Sequence, residues 1–275
     1  MKKVVKKSSS KTSEKITKKS VSDYMKTGIQ GFDRLFKGYF GIPSGSAVLV
    51  EGGPGSGKTM FCLSTVMNLC KKEKKCLYMS FEEPEARLIE HAGHFNWPAE
   101  DYIKKGLLRV KRFNAIDISR SVEALLSEAK KELLIEVNPV FFPKDFQPDF
   151  VVVDSLTSIA SAFSGEESRF RIYMEQLFRY LEAHTITSFL IMETPHPTHL
   201  GSVVQGVDQA VSFLSDGIIV IYNVVFENGR RARALEVLKM RGENVNRKIV
   251  EMEIKDKVGI IVYPEKPLVG KFTLT

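Results

Sequence analysis

Short apolar runs rich in β-branched residues alternate along the chain with longer segments in which apolar residues recur every three or four positions. Runs of the first kind predict strands, and segments of the second kind predict helices. From residue 46 onward, the alternation is typical of a parallel sheet with helices on its faces. The strands predicted in this part of the chain are residues 47–51, 76–81, 107–113, 150–154, 188–193 and 217–225.

Helices are predicted between these strands. The first has Leu63, Val66, Met67 and Cys70 at the spacing of one helix face, and it ends before the charged run 71–75. Such an apolar face is buried against a core. The other predicted helices cover residues 84–94, 119–134, 166–183 and 207–214.

The pattern changes after Asp216. Segments 217–226, 231–240, 248–254 and 259–263 predict antiparallel strands, and the turn 227–230 between the first two contains the pair Asn228-Gly229, which is typical of a hairpin. The predicted fold class is therefore α/β, with a mostly parallel central sheet flanked by helices and antiparallel strands at its C-terminal end.

The positive charge of the chain is concentrated at its N-terminus. The whole chain carries +7, and residues 1–20 contain eight lysines and one acid, Glu14, which sum to 8 − 1 = +7. Because the other residues are neutral in sum, a dedicated DNA-binding surface on the body is not expected. The lysine- and serine-rich stretch has too few apolar residues to fold, so residues 1–22 are predicted to be a disordered tail and residues 23–275 a single domain.

Two roles for this tail stay open: a tether or solubility element, which is favoured, and a weak, salt-sensitive contact with nucleic acid. The tail lacks the apolar core of a secretory signal, and no segment approaches the ~20 apolar residues of a membrane helix. A cytoplasmic protein without membrane contact is therefore expected. Cys62, Cys70 and Cys76 have no metal-type spacing and are predicted to pack in the core.

Residues 52–59 match the phosphate-binding pattern G-x-x-x-x-G-K-[ST] in full, after a predicted strand and before a predicted helix. The glycines let backbone N–H groups point at phosphate oxygens, and the start of the helix adds the positive end of its dipole. ATP is therefore the predicted cofactor. The predicted nucleotide-binding residues are Gly52, Gly53, Pro54, Gly55, Ser56, Gly57, Lys58, Thr59 and Met60.

Magnesium is predicted at the same place. Lys58 is expected to reach the β and γ phosphates, and the Thr59 hydroxyl to ligate Mg²⁺. Asp154 ends an apolar run, so a buried strand delivers its carboxylate to the edge of the sheet where ligands bind. A strand-terminal aspartate is also a common cap, but beside a phosphate loop it is predicted to be the second magnesium anchor, through a water molecule.

Glu82 and Glu83 follow the strand 76–81 and precede Pro84. One interpretation is that one of them polarises the water that attacks ATP. The other is that both acids favour the N-terminus of the next helix through its dipole. The residues alone weigh the two interpretations equally.

With these residues placed, the chain resembles the KaiC family, the RecA- and RadA-related ATPases common in archaea, from about Thr27 to Ile261. Besides the phosphate loop, the likeness rests on segments 27–33, 41–46, 80–83, 153–156, 215–217 and 238–242. It implies a RecA-like core and ATP hydrolysis, with Glu82 and Glu83 in the catalytic-base region.

The resemblance also implies a homohexameric ring, in which a Lys-x-Arg pair of one subunit reaches the γ-phosphate held by its neighbour. Lys239 and Arg241 match that pair. Strand alternation places both on one face, together with Leu235 and Val237. The catalytic residues expected from loop and family together are Lys58, Glu82, Glu83, Lys239 and Arg241.

Two departures narrow the expected function. The clock protein that names the family has two ATPase domains and adjacent Ser/Thr phosphorylation targets, whereas this chain has one such domain and Ser212-Phe213 at that place, so autokinase activity is not expected. The loop 194–206 contains no lysine or arginine. Because tracking a phosphate backbone calls for a positively charged groove, the loop gives no support to a strand-exchange recombinase.

The leading hypothesis is an ATPase that couples its nucleotide state to ring assembly or to the regulation of an unidentified protein partner. One alternative is a nucleotide-dependent binding or signalling module with negligible turnover. The other is a DNA-associated, RadA-like ATPase that contacts DNA through the basic tail.

Overall fold

The computed structural model describes residues 24–38, 41–129, 142–163, 165–194 and 207–275. The tail 1–22 and nearly all of the loop 194–206 lie outside these ranges, so the expectations for both stay predictions. The division into a tail and one domain likewise stays a prediction.

The described residues form twelve strands and seven α-helices. The strands are β1 (Tyr24–Met25), β2 (Ile42–Pro43), β3 (Ala47–Gly52), β4 (Cys76–Ser80), β5 (Leu108–Arg112), β6 (Phe150–Asp154), β7 (Thr187–Glu193), β8 (Gly217–Phe226), β9 (Arg231–Met240), β10 (Val250–Lys255), β11 (Gly259–Pro267) and β12 (Phe272–Leu274). The helices are α1 (Lys58–Cys70), α2 (Glu85–His94), α3 (Ala99–Lys104), α4 (Ala115–Ala129), α5 (Leu156–Ser161), α6 (Glu167–Ala183) and α7 (Val207–Leu214). None of the helices in the described ranges is long and apolar enough to span a lipid bilayer.

The main sheet has the strand order β11-β10-β9-β8-β3-β7-β6-β4-β5, and β12 pairs with β8. From β8 to β5 every neighbouring pair is parallel, whereas β8-β9, β9-β10 and β10-β11 are antiparallel. The predicted fold class is confirmed. The long strands and helices agree with the periodicity to within a few residues where the structure describes them, but the short elements β1, β2, α3, α5 and β12 were not predicted. The predicted helix 119–134 begins earlier, at Ala115, and its predicted end, residues 130–134, lies outside the described residues.

Apolar side chains pack on both faces of the sheet. In β3, Val48 and Val50 join the core under α1, α2 and α3, while Ala47 and Leu49 join the core under α4 to α7. A strand buried on both faces reads as a continuous apolar run, which is why periodicity finds the central strands. The three cysteines are buried in the first core, as predicted, and none forms a disulfide.

The segment before β2 braces the helix that follows the phosphate loop. Its 3₁₀ helix (Phe32–Leu35) presents Phe32, whose ring centroid lies 5.0 Å from that of Phe61 on α1. Asp33 holds the preceding turn: its carboxylate accepts hydrogen bonds from the Thr27 amide (3.0 Å), the Thr27 hydroxyl (2.8 Å) and the Gly28 amide (3.0 Å). One carboxylate therefore satisfies three donors and fixes the entry of the chain into the domain.

A β-bulge interrupts the pairing of β8 with β9. Ile218 pairs with Lys239 and the next residue, Ile219, pairs with Val237, so Leu238 is an extra residue on β9. A bulge of this kind shifts the residues that follow it to the opposite face of the strand.

The predicted face of the two cations is therefore wrong. Met240, rather than Lys239, joins Leu235 and Val237 in the first core. Lys239 and Arg241 still share a face with each other, but it is the face covered by α7. Simple alternation fails here because it assumes an unbroken strand.

The Asp33 turn gives the first testable prediction. We expect Asp33→Asn to lower the free energy of unfolding by about 1–3 kcal/mol, because an N–H₂ group would replace one of the two acceptor oxygens and would face a backbone or hydroxyl donor. Urea unfolding at pH 7 measures the change. The control is Asp256→Asn in the exposed turn between β10 and β11, which should unfold like the wild type. An equal stability of both variants would contradict the bracing role of Asp33.

Candidate functional site

The predicted phosphate loop connects β3 to α1 at the C-terminal edge of the parallel sheet. β3 ends at Gly52, and α1 begins at Lys58. Gly57 precedes the helix with φ 111°, a left-handed conformation that favours glycine. The first amides of α1 have no carbonyl partner within the helix, so they are free to bind an anion.

Strands β8 and β9 hold the loop from the side. The Asn223 side chain donates a hydrogen bond to the Pro54 carbonyl (3.1 Å), and Arg233 donates to the Gly55 carbonyl (3.4 Å). These two residues are register partners across the strands, and Thr275 pairs with Asn223 through the backbone. Neither residue was predicted, although Asn223 is a polar residue within the otherwise apolar β8 and was an available signal.

Lys58 is 6% exposed, and its ammonium group has partners within the chain. It donates to the carbonyls of Gly52 (3.0 Å) and Gly53 (2.9 Å) and lies 3.3 Å from the carboxylate of Glu193. Glu193 ends β7 and was predicted only as a strand end. Its position is set by the pairing of β7 beside β3, which the sequence does not display.

Asp154 lies where the sequence predicted, facing the start of α1. Its Oδ2 accepts hydrogen bonds from the Thr59 hydroxyl (3.1 Å) and the Tyr78 hydroxyl (2.6 Å). Burial raises the pKa of Asp154 to about 6, and the nearby charges of Glu82 and Glu83 act in the same direction, while the two hydroxyl donors oppose the shift. A hydroxyl and a carboxylate this close are oxygen ligands of the kind that Mg²⁺ prefers, so the residues fit that ion.

Among the described residues, no group of three or more histidine, cysteine or acidic side chains is arranged to hold a metal ion. A magnesium ion between Thr59 and Asp154 would therefore depend on phosphate oxygens and water for its remaining ligands. That dependence is expected of an ion that arrives with a nucleotide rather than of a resident metal.

Glu82 and Glu83 lie on the same edge but have different surroundings. Oε1 of Glu82 accepts hydrogen bonds from the hydroxyls of Ser155 (2.5 Å) and Ser158 (2.8 Å). The Glu83 carboxylate lies 3.4 Å from the His91 ring, a contact that is an ion pair only when the imidazole is protonated. The structure thus separates two neighbouring acids that the sequence treats alike.

A cavity of about 180 Å³ opens beside the start of α1. It is lined by Thr59, Met60, Glu83, His91, His94 and Phe95. Its wall is largely apolar and carries aromatic rings, which suits a flat heterocycle. The predicted site residue Met60 therefore lies beside the phosphate loop, on the wall of this cavity.

Lys239 and Arg241 lie away from this edge. Lys239 pairs with Ile218 near the N-terminal end of β8, and its ammonium group donates to the carbonyls of Ser212 (2.9 Å) and Ser215 (2.6 Å). Arg241 donates to the Phe213 carbonyl (2.8 Å). Both cations therefore cap the C-terminal end of α7, where unpaired carbonyls and the negative end of the helix dipole favour them.

Comparison with known proteins agrees with the fold and with the phosphate loop. A family model described as the KaiC ATPase matches residues 25–267. A UPF0273 protein of Pyrococcus horikoshii is 32% identical over 248 residues, covering 89% of this chain and 95% of its own. The circadian clock oscillator protein KaiC of Parathermosynechococcus lividus is 28% identical over 222 residues, which are 78% of this chain but only 38% of that longer protein.

Among solved structures, a KaiC-like protein from the hyperthermophilic archaeon Pyrococcus horikoshii superimposes with a TM-score of 0.68 at 26% identity. The match covers 88% of this chain and 99% of that one. The likeness therefore extends over most of this chain and nearly all of that protein.

The buried carboxylate of Asp154 gives a second prediction. Its folded pKa of about 6 exceeds the ordinary 3.8, so the ionised side chain destabilises the ligand-free fold above pH 6, and this effect fades as the pH falls toward 4. We expect Asp154→Asn to raise the free energy of unfolding at pH 7.5 by about 1–3 kcal/mol, and by progressively less at lower pH.

Urea unfolding of the magnesium-free protein at several pH values measures this difference. Asp256→Asn, which changes an exposed charge, should show no such gain. If Asp154→Asn were less stable than the wild type at pH 7.5, the carboxylate would be a structural anchor rather than a destabilising site residue.

Proposed function

This chain belongs to the KaiC family of ATPases, and from that premise we propose that it binds MgATP at residues 52–60, hydrolyses it, and couples the nucleotide state to ring assembly or to a protein partner. The observation that carries the proposal is the complete phosphate loop between β3 and α1, with the Thr59 hydroxyl 3.1 Å from the carboxylate of Asp154. The phosphate loop and the two residues proposed to hold magnesium, Thr59 and Asp154, therefore lie at the same edge of the sheet.

In this proposal the triphosphate lies across the loop from Gly52 to Thr59. Lys58 exchanges its carbonyl partners for β and γ phosphate oxygens, and the first amides of α1 hold the β phosphate. Thr59 holds Mg²⁺ directly and Asp154 holds it through water. When bound, the ion neutralises charge on the phosphates. The cavity beside Met60 receives the base, since it adjoins the loop and its wall is aromatic and apolar.

Glu82 is the residue that we assign to the attacking water. Its carboxylate lies near Asp154 and is held by two hydroxyls, whereas Glu83 contacts His91 on the wall of the cavity. In the reaction the water oxygen bonds to the γ phosphorus, the bond from that phosphorus to the ADP oxygen breaks, and Glu82 accepts the water proton. The products are ADP and inorganic phosphate.

Lys239 and Arg241 serve a neighbouring subunit in this proposal. They lie at the opposite end of β8 from their own phosphate loop and on the face covered by α7, so they do not reach their own nucleotide. A head-to-tail ring, which we propose to be a homohexamer, brings one subunit's α7 end to the next subunit's loop. Each site is then complete only when a neighbour is present.

The first test of the function is phosphate release together with calorimetric titration of MgATP. We expect Lys58→Ala to lose most of the nucleotide affinity, because it removes the buried ammonium group. Glu82→Gln should retain binding and lose on the order of 10²–10⁴ in turnover, the range for a lost general base. Glu265→Gln on the outermost strand β11 is the matched control and should behave like the wild type.

Different outcomes separate the hypotheses. Wild-type protein without affinity for MgATP would refute the proposal as a whole. Binding without phosphate release would leave a nucleotide-dependent binding module, for which a water-polarising carboxylate has no use.

The second test addresses the neighbour's cations. The double variant K239A/R241A should bind MgATP yet lose on the order of 10³-fold or more in turnover, as expected when trans-acting cations are removed. Mixing it with Glu82→Gln subunits should restore part of the activity, because some interfaces then combine an intact base with intact cations. Thermal unfolding of the double variant controls for the lost caps on α7. If mixed rings stayed inactive while both variants were folded and assembled, action in trans would be refuted.

A further inference from the structure

Helix α5 begins just after Asp154, and the hydroxyls of its cap, Ser155, and of Ser158 face Glu82. Ser155 caps the helix, and its hydroxyl accepts a hydrogen bond from the Ser158 amide (3.3 Å). The Ser158 hydroxyl lies one turn later, 3.3 Å from the Ser155 hydroxyl and 2.8 Å from Oε1 of Glu82. The same segment of the chain therefore carries Asp154, the proposed magnesium ligand, and the two serines that contact Glu82.

Both hydroxyls donate to the same oxygen of Glu82. In the part of the chain that the structure describes, Oε2 has no hydrogen-bond partner, so it keeps its acceptor capacity for water. The Glu82 side chain is exposed, and an exposed glutamate otherwise rotates freely about its side-chain torsions. Two hydrogen bonds to one oxygen restrict that rotation and orient the other oxygen, which is the geometric requirement for accepting a proton from a bound water.

We propose that Ser158 is a positioning residue for hydrolysis: its hydroxyl orients the Glu82 carboxylate toward the attacking water. This inference rests on the function proposed above, in which Glu82 accepts the water proton. In this proposal Ser158 acts through Glu82, which its hydroxyl contacts at 2.8 Å. Ser155 also contacts Glu82, but it caps α5 and adjoins Asp154 as well. Its substitution would therefore disturb the Glu82 contact, the helix cap and the position of Asp154 together.

The surroundings of Ser158 make it a suitable residue to substitute. Its side chain is half-buried and lines an open cavity of about 810 Å³, with Phe81, Phe113 and Ser161 among the other lining residues. Water therefore reaches the position, and loss of the hydroxyl leaves no dry, unpaired polar group. The expected effect is on the orientation of Glu82 and not on the stability of the fold.

The experiment compares steady-state hydrolysis by Ser158→Ala, Ser158→Thr and Ser161→Ala. We expect Ser158→Ala to lower kcat on the order of tenfold, the effect of losing a hydrogen bond to a charged group, with KM and the MgATP dissociation constant unchanged. Ser158→Thr retains a hydroxyl and should recover most of the loss. Ser161 lies on the same helix, and its hydroxyl donates to the Thr157 carbonyl one turn back along α5 (2.9 Å), so Ser161→Ala should match the wild type.

A fourth variant tests the route of the effect. In the Glu82→Gln background, Ser158→Ala should cause no further loss, since no carboxylate is left to orient. Three outcomes would each overturn the positioning role while leaving the ATPase proposal intact. They are an unchanged kcat in Ser158→Ala, a KM that rises together with the fall in kcat, and a full additional loss of kcat when Ser158→Ala is added to Glu82→Gln. A wild type without phosphate release would overturn the ATPase proposal as well. A Glu82→Gln variant with full turnover would overturn the assignment of Glu82 together with the positioning role, while ATP hydrolysis itself would stand.

Discussion

The parallel pairing of β3 with both β7 and β8 is the constraint on which the site depends. Parallel neighbours end at the same edge of a sheet, so the loop after β3, Glu193 at the end of β7 and Asp154 at the end of β6 meet there without any special arrangement of the connecting segments. Glu82 joins them because it follows β4, the next parallel strand. The chemistry is therefore a property of strand order more than of local sequence.

The charged groups of the site have hydrogen-bond partners within the chain. Lys58 is bound by two loop carbonyls and Glu193, and the Asp154 carboxylate is bound by two hydroxyls. On the far side, Lys239 and Arg241 occupy the carbonyls at the end of α7. A buried charge without such partners would be costly, so each group needs a partner in every state. In the proposed function, a nucleotide at Lys58 or a neighbouring subunit at Lys239 and Arg241 would exchange these hydrogen bonds for its own.

Sequence periodicity predicted the central strands and the long helices because these segments are buried, and burial imposes a pattern on their residues. The phosphate loop and Asp154 could be predicted from the sequence because phosphate and magnesium binding require particular residues at particular spacings. The catalytic role of the two glutamates was predicted only through the resemblance to a family. The sequence did not predict the contacts of Glu193, Asn223 and Ser158, because these depend on strands and helices that meet only in the folded chain. The bulge at Leu238 was not predicted either, because it reverses a face within β9 without altering the apolar content of the strand.

The pairing of β12 with β8 places the last described residue beside the nucleotide loop. Thr275 exchanges two backbone hydrogen bonds with Asn223, whose side chain holds the Pro54 carbonyl. Any polypeptide joined after Thr275 would leave the domain within reach of the ATP-binding edge. An affinity tag or a fluorescent fusion at this end would therefore crowd the entrance to the site, whereas the same fusion ahead of β1 would leave Asn223 and the loop untouched.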